Sequence, residues 1–377
     1  MNEAKILVIL NSLWNLVNFR KNLMKSLIKN NYRVIVVAPF DNNYDEVIEM
    51  GCEIIIHNFN GRKTKVFQEL LSLYKLNKII LKEKPSICIT FTIKPNIYAS
   101  LCCKLYNIPI INNITGLGYF LEKGILLRNC IKLLYKLIFG VNSYVFFQNN
   151  EDMNFFKKFF LKKKSLFDIL PGSGVDLKKF NTNRTLIKKS DNITFILVSR
   201  LLWSKGVFEF YKAASFIKKK YSNVTFKILG SLQEKGDEAV DYNVIKKWED
   251  ERIIQYLGFC KNVKKYLLES DCLILPTFYN EGTPKVILEA SALKIPIITT
   301  NIKGCNYAVI NGENGFLCEP KNHLDLALKI ELFIKMSKKD RALMGKRGRL
   351  RAEKYFDENI VIKQYQKTIN FMLEKFK

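Results

Sequence analysis

Two successive α/β domains, each a parallel sheet with helices on both faces, are the architecture this sequence predicts. Short apolar runs rich in Ile, Val and Phe recur with helical stretches between them, the alternation that builds doubly wound sheets. The rhythm breaks between residues 171 and 192, where Pro171, Gly172, Gly174, Asn181 and Asn183 gather, and then resumes. A length of 377 residues with 48% hydrophobic content suits two domains of ordinary size.

In the first half, strands are expected at 6–10, 34–38, 53–56, 87–91, 108–112 and 144–147, with helices at 19–29, 66–82, 97–106 and 126–139. In the second half, strands are expected at 194–198, 225–229, 253–256, 273–275 and 297–299, with helices at 207–220, 242–250, 263–268 and 284–293. Three helical patterns follow Pro320, and the last of them could return over the first domain. The boundaries are therefore set at 1–175, 176–355 and a closing helix over 356–377. Two such domains facing one another would leave a cleft at the carboxyl ends of their strands.

The chain carries 61 Lys and Arg against 35 Asp and Glu, a net charge of +26 spread over both halves rather than gathered in a tail. Such a surface fits anionic lipid, phosphorylated substrates or nucleic acid. Nucleic acid is disfavoured, because the charge is dispersed and no recognised nucleic-acid-binding motif is present. The nine cysteines form no Cys-x-x-Cys pair, and the only histidines, His57 and His323, are far apart. Neither a zinc site nor a disulfide framework is expected, and the pattern suits a reducing cytoplasm. No signal peptide and no membrane span are visible.

The most informative segment is Glu281-Gly-Thr-Pro-Lys-Val-Ile-Leu-Glu289. An apolar strand precedes it and good helix formers follow, with Pro284 at a plausible first helical position. The backbone amides of Gly282 and Thr283 would point at an anion from the helix start. Glu281 in the loop and Glu289 in the helix could hold the hydroxyls of whatever carries that anion. After the strand at 194–198 comes Ser199-Arg-Leu-Leu-Trp-Ser-Lys-Gly206. Arg200 offers a planar fork and Lys205 a point charge, both suited to phosphate oxygens. Gly230 ends the next strand, where a missing side chain lets backbone approach a ligand.

Arg200, Lys205, Glu281 and Glu289, in this order and spacing, resemble the family-4 retaining glycosyltransferases of the two-domain GT-B fold. The wording around them looks closest to bacterial transferases that add N-acetylgalactosamine or related sugars to undecaprenyl-diphosphate-linked acceptors. Trp14 to Arg20 and Thr115-Gly-Leu-Gly-Tyr-Phe120 look similar to that group in the first domain. The resemblance implies a UDP-sugar donor, a lipid-linked saccharide acceptor, and a place in O-antigen, capsule or glycoprotein glycan assembly. It implies that Arg200 and Lys205 hold the donor diphosphate, Glu281 lies against the sugar and Glu289 binds the ribose, with Gly282, Thr283, Pro284 and Gly230 around them. Trp14, Asn18, Arg20 and Gly116 would face the acceptor. No metal and no cofactor are implied, and the sequence has no Asp-x-Asp triplet. One departure stands out: many family members have a glycine pair after the first strand, where this chain reads Asn11-Ser-Leu-Trp-Asn-Leu-Val17.

Two stretches, 126–139 and 151–164, interleave apolar and cationic residues and suit helices lying on anionic lipid. A peripheral protein on the inner face of the cytoplasmic membrane is expected. A sugar-nucleotide epimerase on the same fold is the nearest rival. It would need acid–base groups, whereas the candidates here are mostly binding groups.

Overall fold

The structure, a computed structural model, describes residues 4–59, 66–116, 133–136, 138, 140, 142–160, 166–182, 191–232, 236, 238–279 and 282–376. The chain divides into two compact units. One comprises Met1–Ser173 together with Asn359–Lys377, and the other comprises Gly174–Glu358.

The first unit runs β1 (Lys5–Ile9), α1 (Leu13–Lys29), β2 (Arg33–Ala38), α2 (Tyr44–Glu49), β3 (Glu53–Ile56), α3 (Val66–Glu83), β4 (Ile87–Phe91), α4 (Ile93–Leu105), β5 (Ile110–Ile114), β6 (Ser143–Phe147), α5 (Asn150–Phe160) and β7 (Leu166–Ile169). Its strands form one parallel sheet in the order β3-β2-β1-β4-β5-β6-β7. Ile6 to Ile9 of β1 are completely buried, as expected of a central strand covered on both faces.

The second unit repeats the plan. It contains β8 (Ile193–Val198), α6 (Val207–Lys218), β9 (Val224–Leu229), α7 (Tyr242–Asp250), β10 (Gln255–Tyr256), α8 (Val263–Leu268), β11 (Cys272–Leu275), α9 (Lys285–Ala292), β12 (Ile297–Thr300), α10 (Cys305–Ala308), β13 (Gly315–Cys318), α11 (His323–Lys335) and α12 (Lys338–Tyr355). The strand order is β10-β9-β8-β11-β12-β13, again all parallel. Each sheet therefore reverses its winding once, between β1 and β4 in the first unit and between β8 and β11 in the second. Crevices at such switch points are where open α/β sheets take ligands.

The last helix, α13 (Glu358–Lys375), packs on the first unit. Val361, Tyr365, Ile369 and Met372 join the core of β1, β2 and α1. Three side chains pin it there. Gln364 Nε2 donates to Asp168 Oδ2 at 2.7 Å, Gln366 Nε2 to Ser26 Oγ at 2.7 Å, and the Tyr365 hydroxyl to Asn113 Oδ1.

Local chemistry explains where elements depart from the sequence reading. Helix α1 begins at Leu13, ahead of residue 19, because Ser12 caps it, its Oγ accepting from the Asn15 amide at 3.2 Å. Pro284 has ψ 126° and sits just outside α9 rather than inside its first turn. The run Asn-Gly-Glu-Asn-Gly forms a turn, with the Gly312 amide donating to the Gly315 carbonyl at 2.8 Å. The chain then continues as the edge strand β13, a pairing that turn residues do not announce. The 126–139 stretch lies largely outside the described residues. In α5, Met153, Phe155 and Phe156 pack into a core cluster with Phe147, so the described apolar residues of 151–164 serve the interior.

Candidate functional site

The switch point of the second unit brings two loops together, one after β8 and one after β11. The β8 loop runs from Ser199 into a short 3-10 turn, Trp203–Lys205, before α6 starts. Gly206 ends that turn at φ 75°, and a Cβ there would stand 2.1 Å from the Pro276 carbonyl oxygen. Only glycine lets the two loops approach this closely. The Ser204 carbonyl completes the join. It accepts from the Phe278 amide at 2.9 Å, the Tyr279 amide at 3.2 Å and the Thr277 hydroxyl at 3.1 Å. Thr277 is fully buried, and its own carbonyl accepts from the Thr300 hydroxyl of β12.

This framework holds the cations differently. Arg200 is exposed. Lys205 is only 6% exposed, with its ammonium 5.1 Å from the centroid of the Tyr279 ring. Gly230 follows β9, and a Cβ there would stand 1.7 Å from the Ser199 carbonyl oxygen. The glycine thus sits directly beneath the start of the cation-bearing loop. The Tyr256 hydroxyl donates to the Gly230 carbonyl at 2.9 Å, tying β10 to the same corner.

On the other side of the crevice, Gly282, Thr283 and Pro284 are buried immediately before α9. The Thr283 hydroxyl is buried without a hydrogen-bond partner among the described residues. A buried hydroxyl left so is costly unless something else bonds it. Glu289 lies in the second turn of α9, its carboxylate 4.0 Å from Lys285 Nζ. Its side chain is 13% exposed, yet burial lifts its pKa to about 7, with Lys285 and Lys179 opposing the rise. The far end of α9 is fixed by Arg349 of α12, which donates to the Ala292 carbonyl at 2.8 Å and the Phe180 carbonyl at 2.9 Å. Glu281, the first carboxylate of the motif, lies outside the described residues.

The corner therefore collects Arg200, Lys205, Gly230, Gly282, Thr283, Pro284 and Glu289 along the carboxyl edge of one sheet. Gly206, Thr277 and Tyr279 also shape it. Their signals in the sequence are weak: a Lys-Gly ahead of a helix and a Pro-Thr pair after a strand. An open groove of about 650 Å³ lies farther along this edge, lined by Asn301, Leu317, Glu319, Asn322, Asp325 and Lys329, and holds none of the predicted residues.

The first-unit candidates are more scattered. Trp14 is 44% exposed at the start of α1, its amide held by Asp41 Oδ2 at 2.9 Å. Asn18 Nδ2 donates to the Trp14 carbonyl at 2.9 Å. Arg20 is 4% exposed, its guanidinium 4.7 Å from the Phe91 ring centroid and its pKa lowered by burial. Gly116 takes φ 125° just past β5, and residues 117–120 of the same motif lie outside the described residues.

A pair of doubly wound sheets, one of them with basic and acidic groups converging at its switch point, defines the GT-B class of two-domain transferase. The family profile "Glycosyl transferases group 1" matches residues 178–351, and "Glycosyl transferase 4-like" matches residues 5–149. Between them the two profiles match most of both units, and the chain is a glycosyltransferase, a hexosyltransferase. It is 28% identical over 368 residues to N,N'-diacetylbacillosaminyl-diphospho-undecaprenol alpha-1,3-N-acetylgalactosaminyltransferase of Campylobacter jejuni, covering 94% of this chain and 95% of that protein. It is likewise 28% identical to UDP-Gal:alpha-D-GlcNAc-diphosphoundecaprenol alpha-1,3-galactosyltransferase of Escherichia coli, over 68% of each chain. A glycosyltransferase from Rickettsia africae has the same fold, with a TM-score of 0.80 at 19% identity and 99% coverage of both chains.

Proposed function

We propose that this enzyme moves a hexose, an N-acetylhexosamine such as N-acetylgalactosamine, from a UDP-sugar to a polyprenyl-diphosphate-linked saccharide with retention and without a metal. The observation that carries the reading is the gathering at the second switch point of two cations, a helix start and a buried hydroxyl that has no partner among the described residues. As the sugar–oxygen bond breaks, negative charge develops on the departing diphosphate. Arg200 and the enclosed Lys205 meet that charge as fixed cations, and the Gly282 and Thr283 amides add dipoles already oriented. The Thr283 hydroxyl gains the partner it lacks by donating to a phosphate oxygen.

Glu289 receives the ribose hydroxyls. With its pKa near 7, the empty site holds it only partly ionised at neutral pH. Two hydroxyl donors favour the carboxylate and drive the proton off. Glu281 lies against the donor sugar. The names of both relatives print an alpha-1,3 linkage. UDP-hexoses are themselves α-glycosides, so an α product means retention, with the acceptor hydroxyl entering on the face the diphosphate leaves. Trp14, Asn18 and Gly116 serve the acceptor side. Arg20, closed in against Phe91, acts by holding the end of β4. The enzyme works at an anionic membrane surface, where a polyprenyl-linked acceptor resides; among the described residues no helix is long and apolar enough to cross a membrane.

The test is a screen of UDP-sugars against undecaprenyl-diphosphate-linked GlcNAc, read by mass spectrometry. One hexose added to the acceptor is the expected product. Donor turnover that proceeds equally without acceptor would replace transfer with epimerisation or hydrolysis.

A further inference from the structure

Helix α3 spends little of its surface on the core. Of its 18 residues, only Ser72, Leu76 and Ile80 are buried. On the opposite side Phe67 is 76% exposed, Leu70 59% and Tyr74 54%, with Leu71 and Leu81 also open to solvent. At 3.6 residues per turn these five apolar side chains fall within an arc of about 100°. The exposed residues Lys75, Lys78 and Lys82 lie within and along one flank of that arc, Lys78 Nζ resting 4.7 Å from the Tyr74 ring centroid. Neither carboxylate of α3 shares this face. Glu69 is turned toward Lys94, at 2.6 Å, and Glu83 toward Lys5, at 3.0 Å.

An apolar stripe edged by ammonium groups matches an anionic bilayer surface, which offers acyl chains beneath phosphate headgroups. We infer that the exposed face of α3 is the membrane-docking surface of this enzyme, its apolar side chains entering the headgroup boundary and its lysines meeting anionic lipid. A second copy of the chain fits worse, because neither carboxylate of α3 lies on this face to meet the lysines. A neutral protein groove would leave the lysines without complement. The inference rests on the preceding reading only for the claim that a bilayer lies within the enzyme's reach.

Flotation of the full chain with vesicles of phosphatidylcholine, alone or mixed with phosphatidylglycerol, tests it. The wild type is expected to float with the mixed vesicles, less so as salt rises, and weakly with phosphatidylcholine alone. The triple variant Lys75→Gln, Lys78→Gln, Lys82→Gln should lose roughly 100-fold in partitioning, since each lysine at such a surface contributes about fivefold. The variant Phe67→Ser, Leu70→Ser, Tyr74→Ser should lose at least ~10-fold through its apolar contacts. All six positions are exposed, so unchanged circular dichroism is expected in both variants. No binding of the wild type to the mixed vesicles overturns the inference, as does undiminished binding by both variants. A wild-type dimer in sedimentation that the serine variant abolishes also overturns it. Transfer to a short water-soluble acceptor analogue, measured in parallel, keeps the two claims apart. If transfer persists while flotation fails, only the docking face falls. If flotation holds while transfer fails, only the proposed reaction falls.

Discussion

The two sheets of this enzyme share one winding order but treat the cation near their switch points in opposite ways. In the second unit the loop after β8 carries Lys205 to the carboxyl edge and seats it on Tyr279, four residues ahead of Thr283, whose hydroxyl has no hydrogen-bond partner among the described residues. In the first unit the corresponding corner is sealed. Arg20 holds its guanidinium over the Phe91 ring, and Tyr365 of α13 packs edge-on against Phe146 and at a tilt to Phe91 while bonding Asn113. The residue after β4, Thr92, stands at φ 72° and ψ 163°, a conformation that a β-branched side chain rarely adopts. A charge near a switch point is thus a candidate binding group only where the next element leaves it at the crevice. Where a helix from the far end of the chain covers it, the same charge becomes part of the core.

The largest expected effect tests the open corner. Lys205→Ala and Arg200→Ala should each lower kcat/KM by about 10²–10³, the usual loss for one preorganised donor. Steady-state transfer rates with intact folding would show it, and near-normal turnover in both variants would erase the proposed difference between the corners.

Next comes the junction that builds the corner. Gly206→Ala combines a left-handed φ with a Cβ 2.1 Å from the Pro276 carbonyl, and should cost about 3 kcal/mol of stability in the second unit. Gly312 also has a left-handed φ, but its Cβ would meet nothing within 4 Å, so Gly312→Ala should cost only about 1 kcal/mol. Equal losses in urea titrations would mean that backbone strain, and not the closeness of the loops, is what requires Gly206.

Glu289 supplies a pH signature. Its folded pKa of about 7 exceeds the ordinary value of 4.5, so the folded state binds more protons between those pH values. Stability contributed by the neutral carboxyl is present below pH 4.5 and is lost as pH rises toward 7, by an upper bound of about 3 kcal/mol. Glu289→Gln should flatten this slope in chemical denaturation at a series of pH values. In the wild type, UDP binding near pH 7 should release a proton, detected by calorimetry in buffers of different ionisation enthalpy. Binding without proton release would separate Glu289 from the ribose.

The smallest effect is expected in the sealed corner. Tyr365→Phe removes one hydrogen bond to Asn113 and should cost about 1 kcal/mol while leaving kcat/KM close to wild type. A large drop in activity would show that this corner takes part in the reaction and that the comparison has been drawn too sharply.

Much of this was legible in the residues. The strands Ile87–Phe91 and Glu53–Ile56 fall at their expected positions, because continuous β-branched and aromatic runs leave little choice between a buried strand and anything else. Arg200 and Lys205 could be placed in the loop after β8, and Glu289 in the helix after β11, because local spacing fixes which element carries each residue. The edge strands β7 and β13 were not, since their pairing partners lie elsewhere in the chain and their own composition is mixed.

The sequence by itself determined the doubly wound class and the order of charged groups along the second half, because periodicity and short-range spacing are properties of the chain alone. Tertiary structure alone decided which charges remain available. Lys205 and Arg20 are nearly equal in burial, at 6% and 4%. One meets a loop aromatic at a crevice, and the other lies in a core closed by a helix that follows it by more than three hundred residues. Nothing local in the sequence encodes that cover, because it arises when α13 finds its apolar seat on α1, β1 and β2.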